Sequence, residues 1–170
     1  MLTPEQEEWV NSLSDRIITV VPYDPRTERL FLSVKKKVQD VLGTDVRVEH
    51  CGASSLGISG QDEIDVSIIV SKDRFGEYAS KLDGVVGSVA SWYPDRVRFE
   101  LKEEGKKIDL KIIDDTEPSY MEGKIFEGYL RAHPDYLEKY RILKEESNGL
   151  TVKEYYRKKK EFINEVNSRA

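Results

Sequence analysis

The chain has one cysteine, Cys51, and two histidines, His50 and His133, among its 170 residues. A single cysteine leaves no internal disulfide and suits a reducing compartment. One cysteine and two histidines also give no zinc-ligand spacing. His50 and Cys51 adjoin on a strand and face opposite ways, which argues against a Cys–His nucleophilic pair. No run approaches the ~18 consecutive apolar residues of a membrane span. The start, MLTPEQEEWV, lacks a basic segment followed by an apolar one, so no secretory signal is expected and the cytoplasm is the expected location. Positive charge is not in excess either: 27 Lys and Arg against 32 Asp and Glu give a net charge of -5. That balance argues against coating nucleic acid, though one RNA end or a small nucleotide stays open. The basic clusters 35–37 and 157–160 read as solvated helix faces, with Lys159 the exception.

What is present is a soluble composition, 38% hydrophobic and 35% charged with a mean hydropathy of -0.58. It suits one compact domain with a helical appendage. Thr3-Pro4-Glu5-Gln6 is a helix start with a capping threonine, and the helix runs to about Ser14. Ile17–Val21 is a short β-rich run broken at Pro22. Leu30, Phe31, Val34, Val38, Val41 and Leu42 have helical spacing, ended by Gly43. Strands follow near 45–50 and 64–70, then a helix over about 72–82, an ambiguous 85–92, and alternating runs at 96–102 and 107–113. The last two read as a hairpin turning at Gly105. After Pro118 the pattern is helical throughout, at 121–131, 134–146 and 152–167, with a capping box at Thr151 and Glu154. The expected fold class is α+β, with residues 1–117 as a core and 118–170 as a helical subdomain packed on it. A cleft between the two is the natural ligand site.

The most informative stretch is VEHCGASSLGISGQDEIDVSIIV, residues 48–70. Period two puts Glu63 and Asp65 on one sheet face, opposite Ile64, Val66 and Ile68. Carboxylates that close repel, and a divalent cation keeps both ionised. Mg²⁺ (or Mn²⁺) is the default for hard oxygen ligands near phosphates. If the hairpin pairs with the 64–70 strand, Asp109 joins them. Gly52, Ser54 and Ser55 form a small-residue turn whose backbone N–H groups and hydroxyls suit a triphosphate. Alternatively, Ser54 simply caps the short helix after the turn.

The turn, the carboxylate–x–carboxylate strand and the later lone carboxylate together resemble the nucleotidyltransferase superfamily. Val20-Val21-Pro22-Tyr23-Asp24-Pro25, Phe31 and Val48-Glu49-His50, then Tyr129-Leu130-Arg131-Ala132-His133-Pro134, Tyr140, Tyr155, Lys159, Phe162 and Ile163, resemble the GrpB-like family within it. The chain departs from that family at Ala53-Ser54, Leu56, Gln61-Asp62 and Thr27. Many relatives have an apolar residue where Glu63 stands and a histidine where Asp109 stands, so this chain is closer to an active acidic triad.

The resemblance implies a nucleotidyltransferase-type mixed sheet with flanking helices and a C-terminal helical part. It implies transfer of a nucleotidyl group from an NTP to an unknown hydroxyl acceptor. Glu63, Asp65 and Asp109 would be the metal-binding and catalytic residues. Gly52, Ser54, Ser55, Arg131 and Lys159 would bind the nucleotide. Arg131 and His133 would contact base or acceptor, or else make a contact at the turn before Pro134. Two rivals stand beside it: a non-catalytic module for a nucleotide or coenzyme A precursor, and a regulatory partner that buries the cleft in an interface. Oligomeric state is open.

Overall fold

The computed structural model describes every residue from Met1 to Ala170. Alternating apolar and polar residues build five strands: β1 (Arg47–Cys51), β2 (Glu63–Ile69), β3 (Ser88–Trp92), β4 (Arg96–Glu103) and β5 (Lys106–Ile113). The helices are α1 (Pro4–Ser12), α2 (Thr27–Leu42), α3 (Gly52–Ser55), α4 (Phe75–Leu82), α5 (Pro118–Ala132), α6 (Pro134–Glu146) and α7 (Val152–Asn167). The chain is α+β, as expected. Its contacts form two compact units. One holds residues 23–57 and 62–121, the other residues 1–22, 58–61 and 122–170. That division runs differently from 1–117 and 118–170.

The first unit is a single mixed sheet in the order β1-β2-β5-β4-β3. Only β2 and β5 pair in parallel, in the register Ile64 beside Ile108, Asp65 beside Asp109 and Val66 beside Leu110. A parallel pair needs a crossover. Here the 3₁₀ turn at Lys72–Arg74, α4 and the β3–β4 pair supply it. The ambiguous 85–92 segment is therefore the edge strand β3. One sheet face carries Val48, Ile64, Val66, Ile68, Val97, Phe99, Ile108, Leu110 and Ile112, all buried. Leu30, Phe31, Val34 and Val38 of α2, with Phe75, Tyr78, Ala79 and Leu82 of α4, cover it. Spacings of three and four put those residues on one stripe of each helix. At the edge of this core Lys106, 8% exposed, bonds its ammonium to Asp24 and Asp62. Its stem stays apolar while its charge is paired. Asp62 takes a left-handed φ of 62° immediately before β2.

The second unit is helical. The Thr3/Gln6 and Thr151/Glu154 capping boxes both form. Phe126 packs edge-on to Tyr140, which stacks on Phe162 with centroids 5.5 Å apart. Tyr155 is fully buried, and its hydroxyl accepts from Lys144 Nζ at 2.8 Å. Arg157 of α7 grips both Glu7 oxygens of α1. Ile17–Val21, expected as a strand, makes only isolated bridges, Ile17 to Thr151 and Val21 to Gly60. Its backbone groups are satisfied by single contacts such as Ile18 N–H to Leu150 O, so no ladder develops.

Leu110 is fully buried on the central strand pair. Leu110→Ala should cost about 2–5 kcal/mol in urea unfolding; a loss under about 1 kcal/mol would place it outside the core.

Candidate functional site

Residues paired across strands share a face. The face opposite the core therefore carries Glu49 and Cys51 of β1, Glu63, Asp65 and Ser67 of β2, Lys107, Asp109 and Lys111 of β5, and Arg98 and Glu100 of β4. The three expected carboxylates do lie on one face of two adjacent strands, with Asp65 and Asp109 in direct register. Each is turned to a different partner. Lys107 Nζ sits 3.2 Å from Glu63 Oε2, along its own register line. Arg98, the diagonal neighbour of Asp109, donates from Nη2 at 2.9 Å and from Nε at 3.1 Å to Asp109 Oδ1. Asp65 is turned to the β1–α3 turn, where its Oδ2 fills the space a side chain on Gly52 would need. As they stand, no three acidic, histidine or cysteine side chains are gathered to share one ion. Lys107 and Arg98 thus supply positive charge beside Glu63 and Asp109, where the sequence pointed to a divalent cation. Both come from strand pairings that separation along the chain conceals.

Burial pushes the Glu63 carboxyl above the usual range, the charge on Asp65 adds to this, and Lys107 opposes it. The donor set is all carboxylate oxygen, so it fits Mg²⁺ or Mn²⁺ in kind.

The turn differs from expectation in its hydroxyls. Gly52 opens it at φ 70°, a conformation that favours glycine. Ser54 is the third residue of α3, whose start has no side-chain cap, so Ser54 does not cap it. Its hydroxyl is 2.9 Å from His50 Nε2, and Ser55 Oγ donates to Gly52 O at 2.8 Å. His50 in turn lies 3.3 Å from Glu28 Oε2 and stacks on Phe31. Glu28 lies 22 residues upstream of His50, and no sequence spacing signals their contact.

Arg131 and Lys159 belong to the helical unit. Arg131 is exposed in the last turn of α5, and Lys159 Nζ lies 5.3 Å from the Tyr156 ring centre. His133 bonds through Nδ1 to Tyr129 O at 2.9 Å and stacks on that ring. It therefore serves the turn before Pro134. Tyr140 and Tyr155 are core. In the basic clusters Lys36 pairs with Asp40, Lys37 with Glu103 and Arg157 with Glu7. No helix is long and apolar enough to cross a membrane.

The profile of the family described as GrpB protein matches residues 17–169. The crystal structure of the conserved protein GrpB from Enterococcus faecalis superposes with a TM-score of 0.71 at 17% identity, covering 88% of this chain and 95% of that one. That likeness speaks for the fold alone. A UPF0157 protein of Streptomyces coelicolor is 26% identical over 118 residues, 66% of this chain. The chain spans 61% of that relative's length. A fainter likeness, TM-score 0.44 at 12% identity, links 77% of this chain with 63% of Leishmania infantum polymerase beta. It is too low to bear on chemistry.

Because the folded-state pKa of Glu63 is raised, its charged form costs stability above that pKa and nothing below the unfolded value. Glu63→Gln should therefore raise the melting temperature at pH 7.5 by about 2–4 °C, on the order of 1 kcal/mol. The gain should vanish by pH 4, and an equal gain at both pH values would refute the burial argument. Gly52→Ala forces a Cβ to within 3.0 Å of Asp65 Cγ at positive φ. It should lower stability by about 1–3 kcal/mol, and a neutral result would show that the turn can shift away from Asp65.

Proposed function

The chain belongs to the GrpB family, and on that premise we propose that it is a Mg²⁺-dependent nucleotidyltransferase acting from an NTP onto a hydroxyl acceptor. The observation that carries this reading is the parallel register of Asp65 and Asp109, with Glu63 on the same face. Glu63, Asp65 and Asp109 would hold the cation, whose charge would offset that developing on the triphosphate. To do so Glu63 must leave Lys107 and Asp109 must leave Arg98. The two released cations then have phosphate oxygens as their natural partners. Backbone N–H groups of the Gly52 turn would orient the phosphates, and Arg131 and Lys159 are carried as nucleotide ligands by the family resemblance. The single cysteine supports a cytoplasmic location.

The same two ion pairs favour a second reading, a non-catalytic module for a nucleotide or a coenzyme A precursor. Lys107 and Arg98 already neutralise two of the three carboxylates, so the face is stable with no cation bound.

Thermal unfolding with each of the four NTPs, with and without Mg²⁺ and beside Asp65→Asn, separates the two. A ligand at about 100 times its Kd adds about 2.7 kcal/mol of stability. A Mg²⁺-dependent rise with one NTP, lost in Asp65→Asn, is expected. A rise that survives that substitution favours the module, and no rise with any NTP sinks the nucleotidyltransferase reading.

A further inference from the structure

Transfer to a hydroxyl needs that hydroxyl activated, and the sheet unit already holds one on an imidazole. We propose that Ser54 Oγ is itself a nucleophile, with His50 as its general base and Glu28 as the positioning residue. Its substrate class is the phosphoanhydride of a nucleoside triphosphate, so the inference rests on the nucleotidyltransferase reading for its electrophile.

The direction of the hydrogen bonds follows from the donor inventory. A carboxylate only accepts, so in the neutral imidazole Nδ1 must carry the proton that meets Glu28 Oε2 at 3.3 Å. Nε2 then holds a lone pair, and the Ser54 hydroxyl, 2.9 Å away, donates to it. A hydroxyl, an imidazole acceptor and a carboxylate on the far ring nitrogen form the arrangement that activates serine nucleophiles. The fold holds the ring firmly: the His50 side chain is 9% exposed and lies over Phe31 at 4.8 Å, 17° from parallel. Strand β1 ends at Cys51 and the chain turns at Gly52, which brings residue 54 back over residue 50. Ser54 remains half-buried, and so reachable, while Glu28 is 62% exposed and oriented by a single contact.

The step balances as follows. Ser54 Oγ forms a bond to the α-phosphorus as its proton passes to His50 Nε2, and the bond from that phosphorus to the bridging oxygen breaks. Pyrophosphate leaves, and the imidazolium returns its proton to the leaving group or to water. An acceptor hydroxyl or water then attacks the Ser54 ester, gives its proton to His50, and Ser54 Oγ departs and is reprotonated. Glu28 stabilises the imidazolium in both halves.

Diisopropyl fluorophosphate tests the nucleophile with neither metal nor nucleotide, since attack forms the Oγ–P bond and releases fluoride. Peptide mapping should place the label on Ser54, with none there in Ser54→Ala. The labelling rate should fall at least about 100-fold in His50→Gln, the lower range for a lost general base. No label on Ser54, or an unchanged rate in a His50→Gln variant with native circular dichroism, would overturn the proposal. The chain has only two histidines, so ¹⁵N-histidine NMR reads the tautomer directly. His50 should be the Nδ1–H form and shift towards Nε2–H in Glu28→Ala; an Nε2–H form in the unaltered protein would reverse the bond to Ser54 and also overturn it. Incubation with Mg²⁺ and each NTP should give a nucleotidyl adduct on Ser54. Fluorophosphate labelling without such an adduct overturns the triphosphate as the electrophile of Ser54, whereas the nucleotidyltransferase reading, in which the acceptor can attack directly, stands or falls on the Mg²⁺-dependent thermal shift.

Discussion

The parallel pairing of β2 with β5 is the constraint on which the rest of the sheet unit depends. It sets Ile64 beside Ile108 and Val66 beside Leu110 on one face, and Asp65 beside Asp109 on the other. A slip of one residue would turn every side chain of a strand over, moving carboxylates into the α2/α4 core and isoleucines out of it. Core and polar face are therefore held in one register by the same hydrogen bonds. Six buried apolar side chains on the core face of these two strands make the alternative register expensive.

Because register gathers the carboxylates, the sheet must also manage their repulsion. It does so with cations from the same ladder: Lys107 directly opposite Glu63, and Arg98 diagonal to Asp109. These pairs are partly buried, where screening by salt is weaker than at the surface. The arrangement places a fixed cation beside Glu63 and another beside Asp109, so any arriving metal ion must compete with both. Glu63 keeps a raised pKa despite its lysine, because burial and the charge on Asp65 both oppose its ionisation. Burial and the neighbouring carboxylate charges together outweigh a single close ion pair at this position.

Much of this was legible in the sequence. The helices at 134–146 and 152–167 and the two capping boxes follow from local rules, and the hairpin and the 63–70 alternation follow from period two alone. What was not legible depended on pairings between distant segments. Ile17–Val21 has strand composition yet no partner strand, so composition misread it. Arg98 reaches Asp109 only once the hairpin register is known, and Lys107 reaches Glu63 only through a crossover of more than thirty residues. Glu28 lies on α2, and only the packing of that helix beside the β1 end brings it to His50. The grouping of α1 with the C-terminal helices escaped notice for the same reason, since Glu7 and Arg157 are 150 positions apart.

The serines of the β1–α3 turn show how the structure changes a reading that residue type alone supports. Small hydroxyl residues after a strand suggest neutral donors for phosphate, and two of them suggest two donors. A hydroxyl has one proton, however: that of Ser55 goes to the Gly52 carbonyl and, with His50 in its Nδ1–H form, that of Ser54 goes to His50 Nε2. Ser55 thereby braces the turn that Gly52 opens at positive φ. Ser54 is different in kind, because its acceptor is a base whose other nitrogen is held by a carboxylate. A phosphate oxygen meeting Ser54 would find lone pairs where it requires a proton, whereas an electrophilic phosphorus would find a nucleophile. The hydrogen-bond direction at one residue therefore moves it from the binding surface of the turn to its chemistry.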